Sequence, residues 1–162
     1  MAPLKTSRRY AAWVVAGVSA AIAAGVGFAF VMALSGGGGP DAVDAEQVAL
    51  GQQVYTEACA SCHGTKLEGQ PNWKVRQANG RLPAPPHDDT GHTWHHPDQM
   101  LFEITKLGVA AFAPEGYESD MPGFADSLSD DQIWAVLAYI KNTWPPEIRA
   151  QQQRRTELYQ AN

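Results

Sequence analysis

Apolar and polar positions divide the chain into stretches of different rhythm. Lys5, Arg8 and Arg9 precede an uncharged run from Tyr10 to Ser35, rich in Ala, Val, Gly and Phe, with Trp13 near its start. That run exceeds the roughly 7–15 apolar residues of a secretory signal and is long enough to cross a hydrocarbon core, which needs roughly 20. It predicts one transmembrane helix over 10–35 that stays in place as an anchor; the alternative is a removed signal peptide, since Ala33 and Ser35 resemble a weak cleavage site. Positive charge lies before the run and little comes after it, so the 1–9 flank is expected on the cytoplasmic side and the rest of the chain across the membrane. In a bacterium this means a single-pass inner-membrane protein with a periplasmic domain. Gly17, Ala21, Gly25, Ala29 and Ala33 recur every fourth residue. They either form a face that lets another membrane helix approach closely or reflect an Ala/Gly-rich composition.

Residues 36–43 begin with a glycine run ending at Pro40 and read as a flexible linker, short enough to hold the next segment within roughly 15–20 Å of the membrane exit. The rhythm then becomes helical. Asp44 with Gln47 forms a capping-box start, and Val48, Leu50, Val54, Tyr55 and Ala58 repeat with helical spacing. A second helix is predicted over Pro97 to Leu107, with Met100, Leu101 and Ile104 on its apolar side and Gly108 as its stop. A third starts at the Ser129–Gln132 capping box and runs through Ile133, Trp134, Leu137 and Ile140 until Pro145. The intervening stretches, 64–96 and 109–128, are rich in Gly, Pro and polar residues and lack strand alternation, so they read as loops. After Pro146, residues 147–159 are polar and predict an exposed terminal helix. The fold class is therefore all-α: a small helical domain over 44–145, preceded by one transmembrane helix and followed by a polar tail over 146–162.

Charge narrows the partners. All 17 Asp and Glu lie from Asp41 onward, whereas three of the 12 Lys and Arg lie in the N-terminal flank, leaving a net charge of −8 on the exported part. An acidic domain argues against nucleic acid and for a basic docking partner, if charge steers docking at all; ordinary solubility is the plainer reading.

The chemistry is concentrated in Cys59-Ala60-Ser61-Cys62-His63, at the end of the first predicted helix. Two thiols three positions apart lie near one face of a helical turn and can form thioethers with the two vinyl groups of one haem, while the adjacent imidazole points at its iron. A zinc site wants a second Cys or His pair at matching spacing, and a thioredoxin-like pair wants a βαβ setting. Neither is present, since these are the only two Cys and the surroundings read helical. The motif thus predicts one covalently attached haem c, with Cys59 and Cys62 as anchors and His63 as the proximal ligand.

With this motif and the flanking helices, residues 44–145 resemble the class I, bacterial monohaem cytochrome c family. The resemblance implies that Gly51 and Tyr55 on the first helix pack against Tyr139 on the last. It implies that Met121, in Met121-Pro122-Gly123-Phe124, is the second axial ligand, with Met100 and a histidine of the 87–96 segment as rivals. It also implies that a proline-bearing loop offers a carbonyl to the ring N–H of His63; Pro85 is the candidate, with Pro83 and Pro86 competing. The departure from the family is His87-Asp88-Asp89-Thr90-Gly91-His92-Thr93-Trp94-His95-His96, which holds four of the five His of the chain. These side chains either bind copper or zinc or form a polar wall beside the haem. Trp73, Arg76, Arg81 and Trp94 are further candidates for the haem surround, as donors to its propionates, and are otherwise surface or core residues.

The function expected on these grounds is that of a membrane-tethered carrier of single electrons, not an enzyme by itself, since a haem iron ligated by His63 and Met121 offers no site to a small-molecule substrate. Membrane respiratory complexes are its expected partners, a quinol-oxidising complex as donor and a terminal oxidase or reductase as acceptor. The alternatives are a fixed haem subunit of a larger oxidoreductase, a haem-based sensor, and a copper-handling protein using His87–His96.

Overall fold

The computed structural model describes residues 39–162. The basic flank, the predicted anchor with its small-residue stripe, and the first residues of the linker lie outside the described residues. Among the described residues there are five α-helices: α1 Ala45–Val54, α2 Ala60–His63, α3 Asp98–Leu107, α4 Asp130–Asn142 and α5 Pro146–Gln160. A π-helical turn, Tyr55–Cys59, joins α1 to α2, and single 3₁₀ turns lie at Thr93–His95 and Val109–Phe112. No strand occurs among the described residues, and no helix there is long and apolar enough to cross a membrane.

The helix ends follow from their caps. The Asp44 carboxylate accepts from the N–H groups of Glu46 and Gln47, both at 2.9 Å. Gln47 does not close the box on Asp44; its side-chain oxygen reaches back to the Asp41 N–H at 2.6 Å. With Ala42 buried and its carbonyl held by Asn142 Nδ2 at 2.8 Å, the end of the linker is drawn onto the helical unit. Ser129 and Gln132 do form the full reciprocal box at the start of α4. α3 begins one residue after Pro97 and ends at Gly108, whose φ of +85° suits glycine.

α4 is the spine. Its Val136 and Ile140 join Val54, Tyr55, Leu67 and Trp144 in one buried cluster, while Ile133 and Leu137 join Leu101 and Phe102 in a second. Each such side chain contributes about 1.5–3 kcal/mol on burial, so one helix serving both clusters organises the domain. α1 crosses α4 at Gly51, where an added Cβ would lie 1.9 Å from the Ala135 carbonyl oxygen and 2.8 Å from Tyr139 Cβ. Only a hydrogen side chain permits that approach. One turn along, the rings of Tyr55 and Tyr139 meet at 5.4 Å.

Two expectations need correcting. On α3 the buried residues are Asp98, Leu101, Phe102 and Thr105, whereas Met100 and Ile104 are only half-buried. Phe102, not among the residues named for the apolar side, stacks on Trp134 at 4.2 Å. The terminal helix α5 is not simply exposed: Gln152 is fully buried and Thr156 nearly so. They bury polar groups, which a hydrophobicity pattern does not detect. Gln152 Nε2 donates to Asp98 Oδ1 at 2.6 Å, the Asp98 N–H donates to Thr156 Oγ1 at 3.0 Å, and Lys141 Nζ donates to both Asp98 carboxylate oxygens at 2.8 Å. The burial cost of the Asp98–Lys141 pair is offset by these added hydrogen bonds.

Candidate functional site

The Cys59–His63 motif sits where the first helix changes pitch. The Ala60 N–H bonds the Tyr55 carbonyl, five residues back, so one extra residue is accommodated just before the motif. α2 then carries the second cysteine and the histidine. Cys59 is half-buried and Cys62 exposed, and both thiols are free. Burial, with the neighbouring Cys62 acting in the same direction, pushes the Cys59 thiol up to about 11. Two thiols three positions apart and not joined to each other are the donor set that a covalently attached haem c requires.

His63 is turned inward, 6% exposed. Its Nδ1 donates to the Pro85 carbonyl at 2.9 Å, which leaves Nε2 as the nitrogen available to iron. Burial lowers the pKa of this imidazole, while the bond to Pro85 acts the other way. The Pro-rich run explains why that carbonyl is available. Prolines fix φ and lack N–H groups, so Pro85-Pro86 is a stiff extended segment with no hydrogen-bond ladder competing for its carbonyls. The segment is tied down at both sides, by Gln70 N–H to the Ala84 carbonyl at 2.8 Å and by His87 N–H to the Leu67 carbonyl at 2.8 Å.

Met121 is half-buried, and its N–H donates to Ser119 Oγ at 3.1 Å. The residues after it are fastened to the end of α3: the N–H groups of Phe124 and Ala125 donate to the carbonyls of Thr105 and Lys106 at 3.1 and 3.0 Å. Gly123 permits this contact, because a Cβ there would meet the Leu107 carbonyl carbon at 2.8 Å. On the other side of Met121, Arg81 pairs with Glu118 at 3.3 Å and with Asp120. The structure thus places Arg81 on the carboxylates of the Met121 loop.

Trp94 donates its Nε1–H to the Asp89 carbonyl at 3.3 Å and stacks on His95 at 3.7 Å. Trp73 stacks on His92 at 5.4 Å, and Arg76 donates to the Gly80 carbonyl at 2.6 Å. A single 3₁₀ turn at Thr93–His95 separates His92 from His96. The rings of His92 and His96 meet edge-on at 5.5 Å. Burial first, and the neighbouring imidazoles next, lower the pKa of both. Among the described residues, no three His, Cys, Asp or Glu side chains are arranged to hold a metal ion.

His87 stands apart from this cluster. Its ring lies flat against that of His63, centroids 4.0 Å apart and planes 22° from parallel. Burial, followed by the proximity of His63 and His92, lowers its pKa well below the ordinary value. By sequence it groups with the metal candidates; the structure sets it against His63, two residues past the Pro85 carbonyl that holds that ring.

Comparison with known proteins bears on the same stretch. A family model described as Cytochrome c matches residues 48–144. The chain is 32% identical over 106 residues to cytochrome c-555 of Prosthecochloris aestuarii, covering 61% of this chain and 92% of that protein. It is 28% identical over 113 residues to the Cbb3-type cytochrome c oxidase subunit CcoP of Azospirillum sp. (strain B510), covering 70% of this chain. It is also 28% identical over 115 residues to nitrite reductase of Stutzerimonas stutzeri, covering 66% of this chain. The matched stretch is 33% of the oxidase subunit and 18% of the nitrite reductase. No solved structure matches the chain.

Proposed function

Since the chain belongs to the cytochrome c family, we propose that it is a membrane-tethered carrier of single electrons whose haem is closed by His63 on one side and Met121 on the other. The covalently held haem c supplies a one-electron couple at its iron. The residues of the chain hold both ligands fixed as the electron comes and goes. The observation that carries this reading is that each ligand-bearing segment is fastened from outside: His63 by the Pro85 carbonyl, and Met121 by the end of α3 and by Arg81. A thioether ligand raises the potential, which suits the oxidising end of a respiratory chain.

The basic flank and the apolar run over 10–35 support an N-terminal anchor with the haem domain on the periplasmic face of a bacterial inner membrane. Tethering gives high local concentration without tight docking, so turnover is not held back by release. The likeness to an oxidase subunit supports membrane respiratory partners, with a quinol-oxidising donor and a terminal oxidase or reductase as acceptor. A second reading, a fixed haem subunit of such a complex, is favoured by the small share that the matched stretch makes of the oxidase subunit and the nitrite reductase. Extraction in mild detergent separates the two. An oxidoreductase recovered in equal amount means a subunit, and recovery of the cytochrome alone means a mobile carrier.

The test of the ligand set is the optical spectrum of the reduced holoprotein with and without carbon monoxide. An unchanged low-spin spectrum is expected. Prompt carbon monoxide binding would overturn the closed His63/Met121 site and favour a haem-based sensor.

A further inference from the structure

We propose that His87 is a positioning residue for the proximal ligand: its imidazole, packed flat against that of His63, sets the angle at which the ligand ring stands over the haem. This rests on the reading of His63 as an iron ligand. A single hydrogen bond from Nδ1 to the Pro85 carbonyl fixes the direction of one ring atom but leaves the ring free to rock about the N–H···O line. A second flat ring 4.0 Å away blocks that motion. A blocking ring is useful only if it is itself immobile, and His87 is held at three points. Its Nδ1 shares a hydrogen bond of 2.8 Å with Thr93 Oγ1. Its N–H donates to the Leu67 carbonyl at 2.8 Å, and its carbonyl accepts from Trp144 Nε1 at 2.7 Å. Thr93 and Trp144 are both buried, so these anchors belong to the core. Groups that orient a metal ligand from behind also tune the metal, and here the orienting group is a ring face as well as a hydrogen-bond acceptor.

The full-length holoprotein and the variants His87→Phe, His87→Ala and Thr93→Val test this. The g values of the low-spin ferric iron and the spread of the haem-methyl proton shifts report the orientation of an axial imidazole plane, which a merely space-filling side chain would not alter. His87→Ala is expected to shift both, and His87→Phe, which restores a flat ring, to return them toward the parent pattern. Thr93→Val, which keeps the ring and removes one anchor, should shift them in the same direction as His87→Ala but less. If His87→Ala fails to retain haem, the other two variants decide. Parent-like g values in Thr93→Val would overturn the proposal by themselves, as would parent-like values in His87→Ala or a His87→Phe protein displaced as far as His87→Ala. A parent protein without a histidine-ligated low-spin spectrum would instead remove the reading of His63 itself, before any variant is compared.

Discussion

Arg81 illustrates how far a single side chain can act from its place in the chain. Its guanidinium pairs with Glu118 and Asp120, nearly forty positions on, and so fastens the loop that carries Met121 to the loop that carries Pro85. These carboxylates are largely exposed, so the pairs add little to global stability. Their effect should appear locally. Arg81→Ala is expected to leave haem attached and the melting temperature close to the parent value, yet to admit carbon monoxide to the ferrous protein, whose parent spectrum the gas leaves unchanged. Arg81→Lys, which keeps the charge but not the planar fork, should restore only part of the difference. Stopped-flow measurement of carbon monoxide association checks both. Cys59, Cys62 and His63 were legible in the sequence because their chemistry is complete within five consecutive residues. Arg81 was legible only as a donor; its partners lie across two loops whose paths no periodicity records.

At the scale of elements, the crossing of α1 on α4 is decided by one missing methyl group. Alanine in a helix interior is ordinarily favoured over glycine by about 1 kcal/mol. At position 51 the clash with the Ala135 carbonyl oxygen outweighs this, because a backbone atom cannot be displaced without separating the helices. Gly51→Ala is therefore expected to lower unfolding free energy by about 1–3 kcal/mol, the usual cost of overpacking, in urea titrations of the holoprotein. The helices themselves were readable from caps and spacing: Ser129 with Gln132, Gly108 as a stop, Asp44 as a cap. The π-helical turn at Tyr55–Cys59 was not, since one longer hydrogen bond leaves no mark on the hydrophobic rhythm. The buried side of α3 was only partly readable, because Thr105 is buried with its hydroxyl bonded to the Leu101 carbonyl at 2.8 Å.

The whole molecule is held by a polar knot as well as by its apolar clusters. Asp98 of α3, Lys141 of α4 and Gln152 with Thr156 of α5 meet in the interior, so the tail is part of the domain although the family match ends at residue 144. Lys141→Met leaves the Asp98 carboxylate buried without its cation and is expected to cost about 3–5 kcal/mol. Adding Asp98→Asn removes the stranded charge and should recover much of that loss, a comparison made by thermal denaturation of the two holoproteins. Sequence pattern missed this knot because it is built from residues that ordinarily mark a surface. The grip of α1 on α4 reaches further still. The first and last elements of the family-matched region are clasped together, so everything between them is a loop shut by contact. A protease cut at the open Glu115–Gly116 step would then yield halves that stay paired, one bearing both cysteines and the other Met121. They are expected to co-elute as a single particle in buffer and to part only in denaturant, since the contact that joins them lies far from the cut.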